Sequence, residues 1–267
     1  MASSDPSRFI ERIKLRSAEN YAQFLLRRLE TGSIILDCGC GPGTITVGLA
    51  VHASSPKAVI ALDRDPKAFR SALDYIRCER LSQVRFLAGD AFCLPFRDCS
   101  FDAVLAHSML ETLSGPLGAL REMHRVLRPG GVLGAASVEY GGLLISPDPS
   151  GLLQRFYETR ERIWLADGIA FSRRGRQLRS LLTASGFHRV EASARYISYG
   201  TTDAVRQFGG ERAIECKSDE LTNAVLTRGL ADRDTLRKMA EAWTAWSADP
   251  NAFLAFAWCD AIGWKPR

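Results

Sequence analysis

The sequence lacks the long apolar segments of membrane-embedded or secreted chains. No run of about 18 apolar residues occurs, so we expect no transmembrane helix. The first residues, Met1–Pro6, have no apolar core of the kind that a signal peptide needs. Hydrophobic residues make up 46% and charged residues 24%, which suits a sizeable core under a hydrated surface. We therefore expect a cytoplasmic protein without a membrane partner.

Disulfide and metal-binding patterns are also missing. The seven cysteines are odd in number and include no C-x-x-C pair. Cys38 and Cys40 flank a single glycine, a spacing that suits a zinc site poorly. We expect reduced, mostly buried thiols and no bound metal.

The charge pattern gives little support for nucleic-acid binding. The 35 basic and 30 acidic residues leave a net charge of +5. A solvated helix face is favoured over a phosphate-binding patch for the basic cluster near a predicted helix at 175–184. That cluster consists of Arg173, Arg174, Arg176 and Arg179. Because the sequence shows no broader basic stripe, nucleic acid is not favoured as a partner.

What the chain does contain is a glycine-rich turn between a strand and a helix. The apolar run 33–36 leads into the residues DCGCGPGT at 37–44, and a helix-like run follows at 45–50. Glycines let a ligand approach the bare backbone, and N–H groups at a helix start favour polar or anionic groups. The turn therefore predicts a nucleotide-like cofactor.

Two cofactor classes use such a turn. The dinucleotide pattern G-x-G-x-x-G needs a third glycine where Thr44 stands, which argues against NAD. The glycines instead run G-x-G-x-G, and the acidic Asp37, which suits an ammonium group, precedes them. This arrangement resembles the first motif of the class I S-adenosylmethionine (SAM)-dependent methyltransferases. The resemblance implies that Asp37, Gly39, Cys40, Gly41 and Thr44 bind SAM, with S-adenosyl-L-homocysteine as the product.

Acidic residues recur at the ends of the next two predicted strands. The run 58–62 ends at Asp63, where a carboxylate can bind both hydroxyls of a ribose, and Arg64 follows. The run 84–88 leads to Asp90 and Ala91, where the resembled family receives the adenine. Capping of a helix by Asp63 or Asp65 is the alternative at the first site, and a turn is the alternative for Asp90. Joint placement at one sheet edge favours cofactor binding.

A fourth unit narrows the resemblance. The stretch 94–104, LPFRDCSFDAV, matches the L-P-F-x-D-x-S-F-D-x-V motif of ubiquinone/menaquinone-type methyltransferases. Arg16–Asn20 and Trp258–Pro266 also look like methyltransferases of specialised metabolism. That group methylates carbon, oxygen, nitrogen or sulfur, so it does not imply the acceptor atom. Thr112 departs from the histidine that many members have.

The patterns predict an α/β fold: a Rossmann-like, seven-stranded, mostly parallel sheet with helices on both faces, an N-terminal helix and helical lid insertions. We expect an N-terminal cap at 1–32, a SAM-binding core at 33–140, and lid insertions with the last two strands at 141–267 that complete the same domain. The cap is predicted as one amphipathic helix at 7–30. Further predictions are a loop marked by 140–142 and 146–149, helices at 152–166, 175–184, 204–230 and 234–247, and strands at 132–136, 190–198 and 253–259.

Aromatic residues of the cap and lid predict the acceptor site. In the resembled family these segments shape the acceptor pocket, so we expect a small molecule that is apolar, flat or polycyclic. Core packing is the alternative for each residue. Arg16 and Asn20, one turn apart, are placed to hold the methionine carboxylate, and an exposed solubilising role is the alternative for the arginine. The aromatic residues are Tyr21, Tyr140, Phe156, Tyr157, Trp164 and Phe171.

Methyl transfer from a sulfonium is an in-line displacement in which positioning supplies much of the rate. His107, after the fourth strand, is the candidate general base at the cofactor, and packing is its alternative. Glu111, four residues on along a predicted helix, would orient it and line the acceptor pocket. His188 is a weaker candidate. Since no metal-binding set of the catechol type is visible, we expect metal-independent transfer.

These observations together predict a SAM-dependent methyltransferase acting on a small apolar or aromatic metabolite, as a monomer or homodimer. Methylation of RNA or protein is the second hypothesis. The third is a SAM-binding protein that has lost methyl transfer, such as a non-methylating cyclase or a partner subunit.

Overall fold

The computed structural model describes residues 17–53, 55–167 and 173–267. Arg16, Phe171 and residues 7–16 of the predicted N-terminal helix lie outside the described residues. The seven strands form one sheet in the order β3-β2-β1-β4-β5-β7-β6. Their bounds are Ile34–Cys38 (β1), Ala58–Asp63 (β2), Val84–Ala88 (β3), Phe101–His107 (β4), Leu127–Ser146 (β5), His188–Tyr199 (β6) and Phe253–Trp264 (β7).

The sheet confirms the predicted α/β, Rossmann-like fold. β1 pairs in parallel with β2 and β4, β2 with β3, and β4 with β5. Gly130 and Gly131 at the start of β5 exchange backbone hydrogen bonds with Lys265 beside the end of β7, so these strands run in opposite directions. The strand order reverses between β1 and β4, and open α/β sheets bind ligands at the carboxyl ends of strands beside such a point.

Helices fill most of the connections between strands. Ten α-helices lie within the described residues, with 3₁₀ turns at Leu110–Thr112 and Gly175–Gln177. The helices are Ala18–Tyr21 (α1), Gln23–Leu26 (α2), Thr44–His52 (α3), Arg70–Cys78 (α4), Pro116–Val126 (α5), Leu152–Ala166 (α6), Leu178–Ala184 (α7), Thr202–Cys216 (α8), Asp219–Thr227 (α9) and Arg233–Ala248 (α10).

The contacts within the chain group into two compact units. Unit 1 comprises the described residues of Met1–Ser137, Gly175–Ser193 and Cys259–Arg267, and contains β1–β4, α1–α5 and α7. Unit 2 comprises those of Val138–Arg174 and Ala194–Trp258, and contains α6 and α8–α10. Strands β5, β6 and β7 contribute residues to both. The predicted division at residues 32 and 140 stays a prediction.

The core of unit 1 lies along the middle strands of the sheet. All residues of β4 except Asp102 are buried, as is expected for a parallel strand covered on both faces. Leu36 of β1, Leu120 of α5 and Leu182 of α7 belong to the same apolar cluster. This core fixes the strand ends that carry the predicted cofactor residues.

The predicted single N-terminal helix is wrong over its described part. The chain forms two short helices, α1 and α2, with a break at Ala22. The Oγ of Ser17 caps α1 by accepting from the N–H of Asn20. A Cβ added at Gly48 of α3 would lie 2.6 Å from the Cβ of Ala18, so α1 approaches α3 closely. Tertiary packing has overridden the helical periodicity here.

The predicted loop is wrong at 140–142, because β5 continues through these residues, whereas the chain does leave β5 within the second predicted stretch, 146–149. A Cβ added at Gly142 would lie 2.6 Å from the Cβ of Ala257, so this glycine permits close strand packing rather than a turn. The predicted helix at 204–230 is divided into α8 and α9, and Ser218 caps α9. The predicted basic helix begins only at Leu178, and Arg174 is buried rather than solvated.

Candidate functional site

The turn between β1 and α3 contains three glycines in the left-handed conformation. Gly39, Gly41 and Gly43 have φ angles of +77°, +50° and +79°, which other residues rarely adopt. The N–H groups of Gly39 and Cys40 both donate to the carbonyl oxygen of Leu62, at 2.7 and 3.0 Å. The turn is thus fastened to the end of β2.

The three glycines differ in their surroundings. An added Cβ would lie 2.5 Å from the Met109 side chain at Gly39 and 2.7 Å from the Phe86 ring at Gly43. At Gly41, nothing lies within 4 Å of the same point. Close packing therefore explains Gly39 and Gly43, whereas Gly41 leaves the backbone open to a ligand.

Cys40 and Thr44, also predicted to bind the cofactor, are both buried. Thr44 begins α3 directly after Gly43, which is the N-cap residue. Burial raises the pKa of the Cys38 and Cys40 thiols, and the charge of Asp37 raises it further. Both thiols stay protonated at neutral pH, so neither is placed to act as a nucleophile.

Asp37 is a buried carboxyl group near the end of β1, with 2% of its surface exposed. The Oγ1 of Thr46 donates to its Oδ2 at 2.6 Å. Burial raises the pKa of Asp37 to about 6, the Thr46 hydrogen bond lowers it, and the charge of Asp63 raises it. A group with this pKa is mostly ionised at pH 7, and a cationic ligand would stabilise its charge.

Asp63, at the end of β2, binds the glycine turn directly. Its Oδ2 accepts from the N–H of Gly41 at 2.7 Å, and its Oδ1 accepts from the N–H of Asp65 at 3.0 Å. Because each carboxylate oxygen has two lone pairs, both oxygens can still accept from two ligand hydroxyls. The same carboxylate therefore shapes the turn and presents acceptors beside it.

The predicted cap at Asp65 and Pro66 does not start a helix. The Oδ1 of Asp65 accepts from the N–H of Lys67 at 2.9 Å in a turn, and α4 begins only at Arg70. The preceding residue, Arg64, is exposed. The side chain of Asp65 thus stabilises its own loop.

Asp90 and Ala91 follow β3 in a short loop beside Asp63. The N–H of Gly89 donates to the Asp63 carbonyl oxygen at 3.0 Å, which ties this loop to the end of β2. The Oδ1 of Asp90 accepts from the N–H of Phe92 at 2.9 Å, the local turn that the alternative interpretation anticipated. Asp90 is exposed and Ala91 is half-buried, so a ligand can reach this loop.

His107 ends β4 and is buried, with 6% exposure. The ring of Tyr21 in α1 meets it edge-on, with centroids 5.4 Å apart. The structure thus brings together the predicted catalytic residue and one predicted pocket residue. Asn20, one residue before Tyr21, is exposed. Its predicted partner Arg16 lies outside the described residues.

The predicted helix joining His107 to Glu111 is wrong. Ser108 has a φ of +53°, and only a 3₁₀ turn at Leu110–Thr112 follows. Met109 between them packs against Gly39, which explains the irregular backbone. Glu111 is fully buried and accepts from the Oγ of Ser137 at 2.6 Å, a partner on β5 that the sequence did not suggest.

A cavity of about 510 Å³ lies elsewhere in unit 1, along β6 and the end of α7. It is lined in part by Arg179, His188 and Glu191. In the sheet order, β4, β5 and β7 separate β6 from β1, so this cavity lies away from the glycine turn. His188 is therefore remote from the residues that surround His107.

In unit 2, Tyr140 and Trp164 lie together, as the pocket prediction requires. Their ring centroids are 5.4 Å apart, and Tyr140 also stacks on Tyr157 at 5.6 Å. The surrounding aromatic cluster includes five residues from two helices and two strands that the sequence did not associate with the site. Its members are Tyr140, Phe156, Tyr157, Trp164, Tyr199, Phe208, Trp243, Trp246 and Phe256.

Two arginines border this aromatic cluster. The guanidinium of Arg160 lies over Trp164 at 4.7 Å, and that of Arg212 lies over Phe208 at 5.0 Å. Both pair with Glu215, the Arg212 Nε at 3.3 Å. Burial lowers the pKa of Arg160, although this group remains charged at neutral pH. Sequence reasoning missed these residues because their helices are far apart along the chain.

Two negative findings apply to residues 17–53, 55–167 and 173–267. No helix there is long and apolar enough to cross a membrane. No group of three or more His, Cys, Asp or Glu side chains there is arranged to hold a metal ion.

Comparison with known proteins identifies the family. The model of a methyltransferase domain matches residues 36–135, which include the glycine turn and the acidic strand ends. A probable methyltransferase, ltbC, of Aspergillus luteorubrus is 29% identical, over 97% of this chain and 95% of its own. An uncharacterised methyltransferase of Schizosaccharomyces pombe is 28% identical, over 88% of this chain and 85% of its own.

The fold agrees with solved structures. The [4+2]-cyclase SpnF superimposes with a TM-score of 0.55 at 24% identity, over 93% of this chain and 78% of its own. The matched domain covers the turn at Gly39–Gly43 and the acidic residues Asp37, Asp63 and Asp90. Residues 36–135 are therefore a methyltransferase domain of the class I SAM-dependent type, and S-adenosylmethionine is its cofactor.

Proposed function

We propose that this enzyme transfers the methyl group of SAM to a small aromatic or apolar molecule. The observation that carries the proposal is the hydrogen bond from Gly41 to Asp63, which joins an open glycine backbone to a carboxylate with acceptors to spare. A nucleoside cofactor needs both the carboxylate and the open backbone. Its ribose hydroxyls donate to the carboxylate, and the rest of the cofactor must pass close to the glycine backbone.

The cofactor-binding roles follow from chemistry and placement. Asp63 accepts from the ribose hydroxyls, while Asp90 and Ala91 receive the adenine. The charge of Asp37 attracts the cationic half of the cofactor, its ammonium group. The other residues of the proposed set are Gly39, Cys40, Gly41 and Thr44 in the turn, Arg64 beside it, His107, and Arg16 and Asn20 for the carboxylate.

His107 is proposed as the base that removes a proton from the acceptor. When bound, SAM supplies an electrophilic methyl group on a sulfonium leaving group. The protein needs only to align the acceptor atom, exclude water and hold its proton. The buried contact between His107 and Tyr21 fixes the imidazole plane, which supports a positioned rather than a mobile base.

The acceptor class is inferred from unit 2. Its cluster of stacked and edge-on rings includes the half-buried Tyr140 and Trp164, which offer aromatic surface to a flat molecule. Glu111, buried with Ser137, is proposed to shape the pocket and not to contact the proton in transfer.

The test is transfer of label from methyl-labelled SAM into an extract of the source cells, separated by size. We expect label in the small-molecule fraction. Asp63→Ala should weaken SAM binding by about 1–3 kcal/mol and abolish most transfer at low SAM concentration. Asp65→Ala is the matched control, since that carboxylate accepts a hydrogen bond from Lys67 within its own loop.

Other outcomes would favour the other hypotheses. Label on RNA or protein would replace the small-molecule proposal. Tight SAM binding without transfer to any fraction would favour a non-methylating role, which this fold also accommodates, since the structurally similar SpnF is a [4+2]-cyclase. Unchanged SAM affinity in Asp63→Ala would contradict the proposed position of the cofactor beside Asp63.

A further inference from the structure

Two buried hydrogen-bond donors of unit 2 have no hydrogen-bond partner among the residues that the structure describes. They are the Oη of Tyr157 and the Nε1 of Trp243. Buried polar atoms are nearly always bonded, so two exceptions in one region need an explanation. Tyr157 is 5% exposed and Trp243 is fully buried, so bulk water does not reach them.

The two donors belong to one group of contacts. The ring centroids of Tyr157 and Trp243 are 6.1 Å apart. Phe208 lies beside Trp243, with ring centroids 6.1 Å apart, and the guanidinium of Arg212 lies over Phe208 at 5.0 Å. Trp246, on the same helix as Trp243, has the hydrogen bond that Trp243 lacks within the described residues. Its Nε1 donates to the Ser146 carbonyl oxygen at 3.1 Å.

Both unpartnered groups have a proton to donate. An indole nitrogen only donates, and a phenol that keeps its proton can donate it. Burial strongly raises the pKa of Tyr157, so its hydroxyl stays protonated. An oxygen of a ligand would supply the acceptor that neither donor has among the described residues.

The neighbouring surfaces suit an aromatic body for that ligand. Tyr140 and Trp164 are half-buried, and Tyr199, also half-buried, stacks near Phe208 at 4.3 Å. Glu215 already pairs with Arg160 and Arg212, so this region does not require a second full negative charge. A carboxylate and a ring-conjugated carbonyl share the needed acceptor oxygen.

We infer that unit 2 binds the methyl acceptor as a flat aromatic molecule whose acceptor oxygen takes hydrogen bonds from Tyr157 and Trp243. The inference rests on the proposed small-molecule function. It goes further because it requires an oxygen substituent on the aromatic acceptor and names the two side chains that donate hydrogen bonds to that oxygen.

Three probes of one ring system test it: 2-naphthoate, 2-acetylnaphthalene and 2-methylnaphthalene. Their dissociation constants are measured by ligand-observed NMR on the full chain, with and without S-adenosylhomocysteine. We expect at least one oxygenated probe to bind about tenfold more tightly than 2-methylnaphthalene. The carboxylate and ketone arms distinguish an anionic oxygen from a neutral one.

Three variants supply the side-chain test. Tyr157→Phe and Trp243→Phe should each weaken binding of the preferred oxygenated probe about three- to tenfold and leave the affinity for 2-methylnaphthalene unchanged. Trp246→Phe, whose indole nitrogen is already bonded, should change neither.

Two results would overturn the inference. One is equal binding of all three probes to the wild type. The other is that Tyr157→Phe and Trp243→Phe bind the oxygenated probe as Trp246→Phe does, as would follow if trapped water satisfied these donors. Failure of S-adenosylhomocysteine to bind would instead count against the cofactor site, because the probe series is also measured without it.

Discussion

Particular polar groups of the two units differ in their hydrogen bonding. In unit 1, the Asp63 carboxylate, the Gly41 N–H and the Asp37 carboxyl group all have hydrogen bonds within the protein. In unit 2, the Tyr157 hydroxyl and the Trp243 indole N–H are buried and have no hydrogen-bond partner among the described residues. The glycine turn of unit 1 is built from backbone groups that already bond within the protein. In the acceptor site proposed for unit 2, the ligand would supply part of the hydrogen bonding.

The largest expected effect concerns the pre-built turn. Gly43→Ala should lower the free energy of unfolding by about 3 kcal/mol, since the residue combines positive φ with a collision against Phe86. Gly41→Ala should cost only about 1 kcal/mol, because its Cβ meets open space, yet it should weaken SAM binding. Chemical denaturation and SAM titration measure the two effects. Equal destabilisation by both would contradict the distinction between the glycines.

The second prediction concerns the buried carboxyl group of unit 1. The pKa of Asp37 rises from 3.8 to about 6 on folding, so between these values the folded state binds a proton that the unfolded state has lost. Its contribution to stability is therefore present below pH 3.8 and is lost as the pH rises through 6. Asp37→Asn should raise the free energy of unfolding at pH 7.5 by about 3 kcal/mol and leave it unchanged near pH 3.5.

Urea denaturation across this pH range tests the Asp37 prediction, with the exposed Asp65→Asn as control. The same substitution should weaken SAM binding, because it removes the charge proposed for the ammonium group. A stability difference independent of pH would show that Asp37 folds without a raised pKa.

The third prediction tests the charged border of unit 2. Glu215→Ala should cost about 2 kcal/mol, because Arg160 and Arg212 would lose their shared carboxylate while remaining largely buried. Glu211→Ala is the control, since that exposed side chain lies 3.6 Å from Arg212 and should change stability by less than about 0.5 kcal/mol. Thermal denaturation at low and moderate salt separates them. Equal losses would mean that the paired arginines do not depend on Glu215.

The smallest effect compares two tryptophans of one helix. Both Trp243→Phe and Trp246→Phe remove ring volume, but only Trp246 loses a hydrogen bond. Trp246→Phe should therefore be less stable than Trp243→Phe by about 1 kcal/mol without ligand. A larger loss of stability in Trp243→Phe would show that the Trp243 indole nitrogen has an ordered hydrogen-bond partner. The contrast drawn between the two units would then be wrong.

The sequence predicted the strands of unit 1 and the residues around its turn because their signals are local. Buried parallel strands appear as apolar runs, and Gly39, Gly41 and Gly43 mark backbone that only glycine adopts readily. The sheet and the methyltransferase family are confirmed, whereas the roles of individual residues such as Asp63 and His107 stay predictions.

The errors occurred where distant residues decide the local structure. Contact between Ala18 and Gly48 accompanies the broken N-terminal helix, and contact between Gly142 and Ala257 turns an apparent loop into a strand. Met109 packs against Gly39 and prevents the helix that would have joined His107 to Glu111. The cluster of unit 2 joins Tyr140, Trp243 and Phe256, which no sequence periodicity connects.

The hydrogen bond from the Gly41 N–H to Asp63 also offers a way to detect a ligand bound at the turn. Hydroxyls that bind this carboxylate would hold it in place, and the Gly41 amide proton would then exchange with solvent more slowly. If the nucleoside binds as proposed, amide exchange at Gly41 would report its binding without labelled cofactor or turnover. It also separates ligands that engage the ribose contact from those that fill the pocket without it.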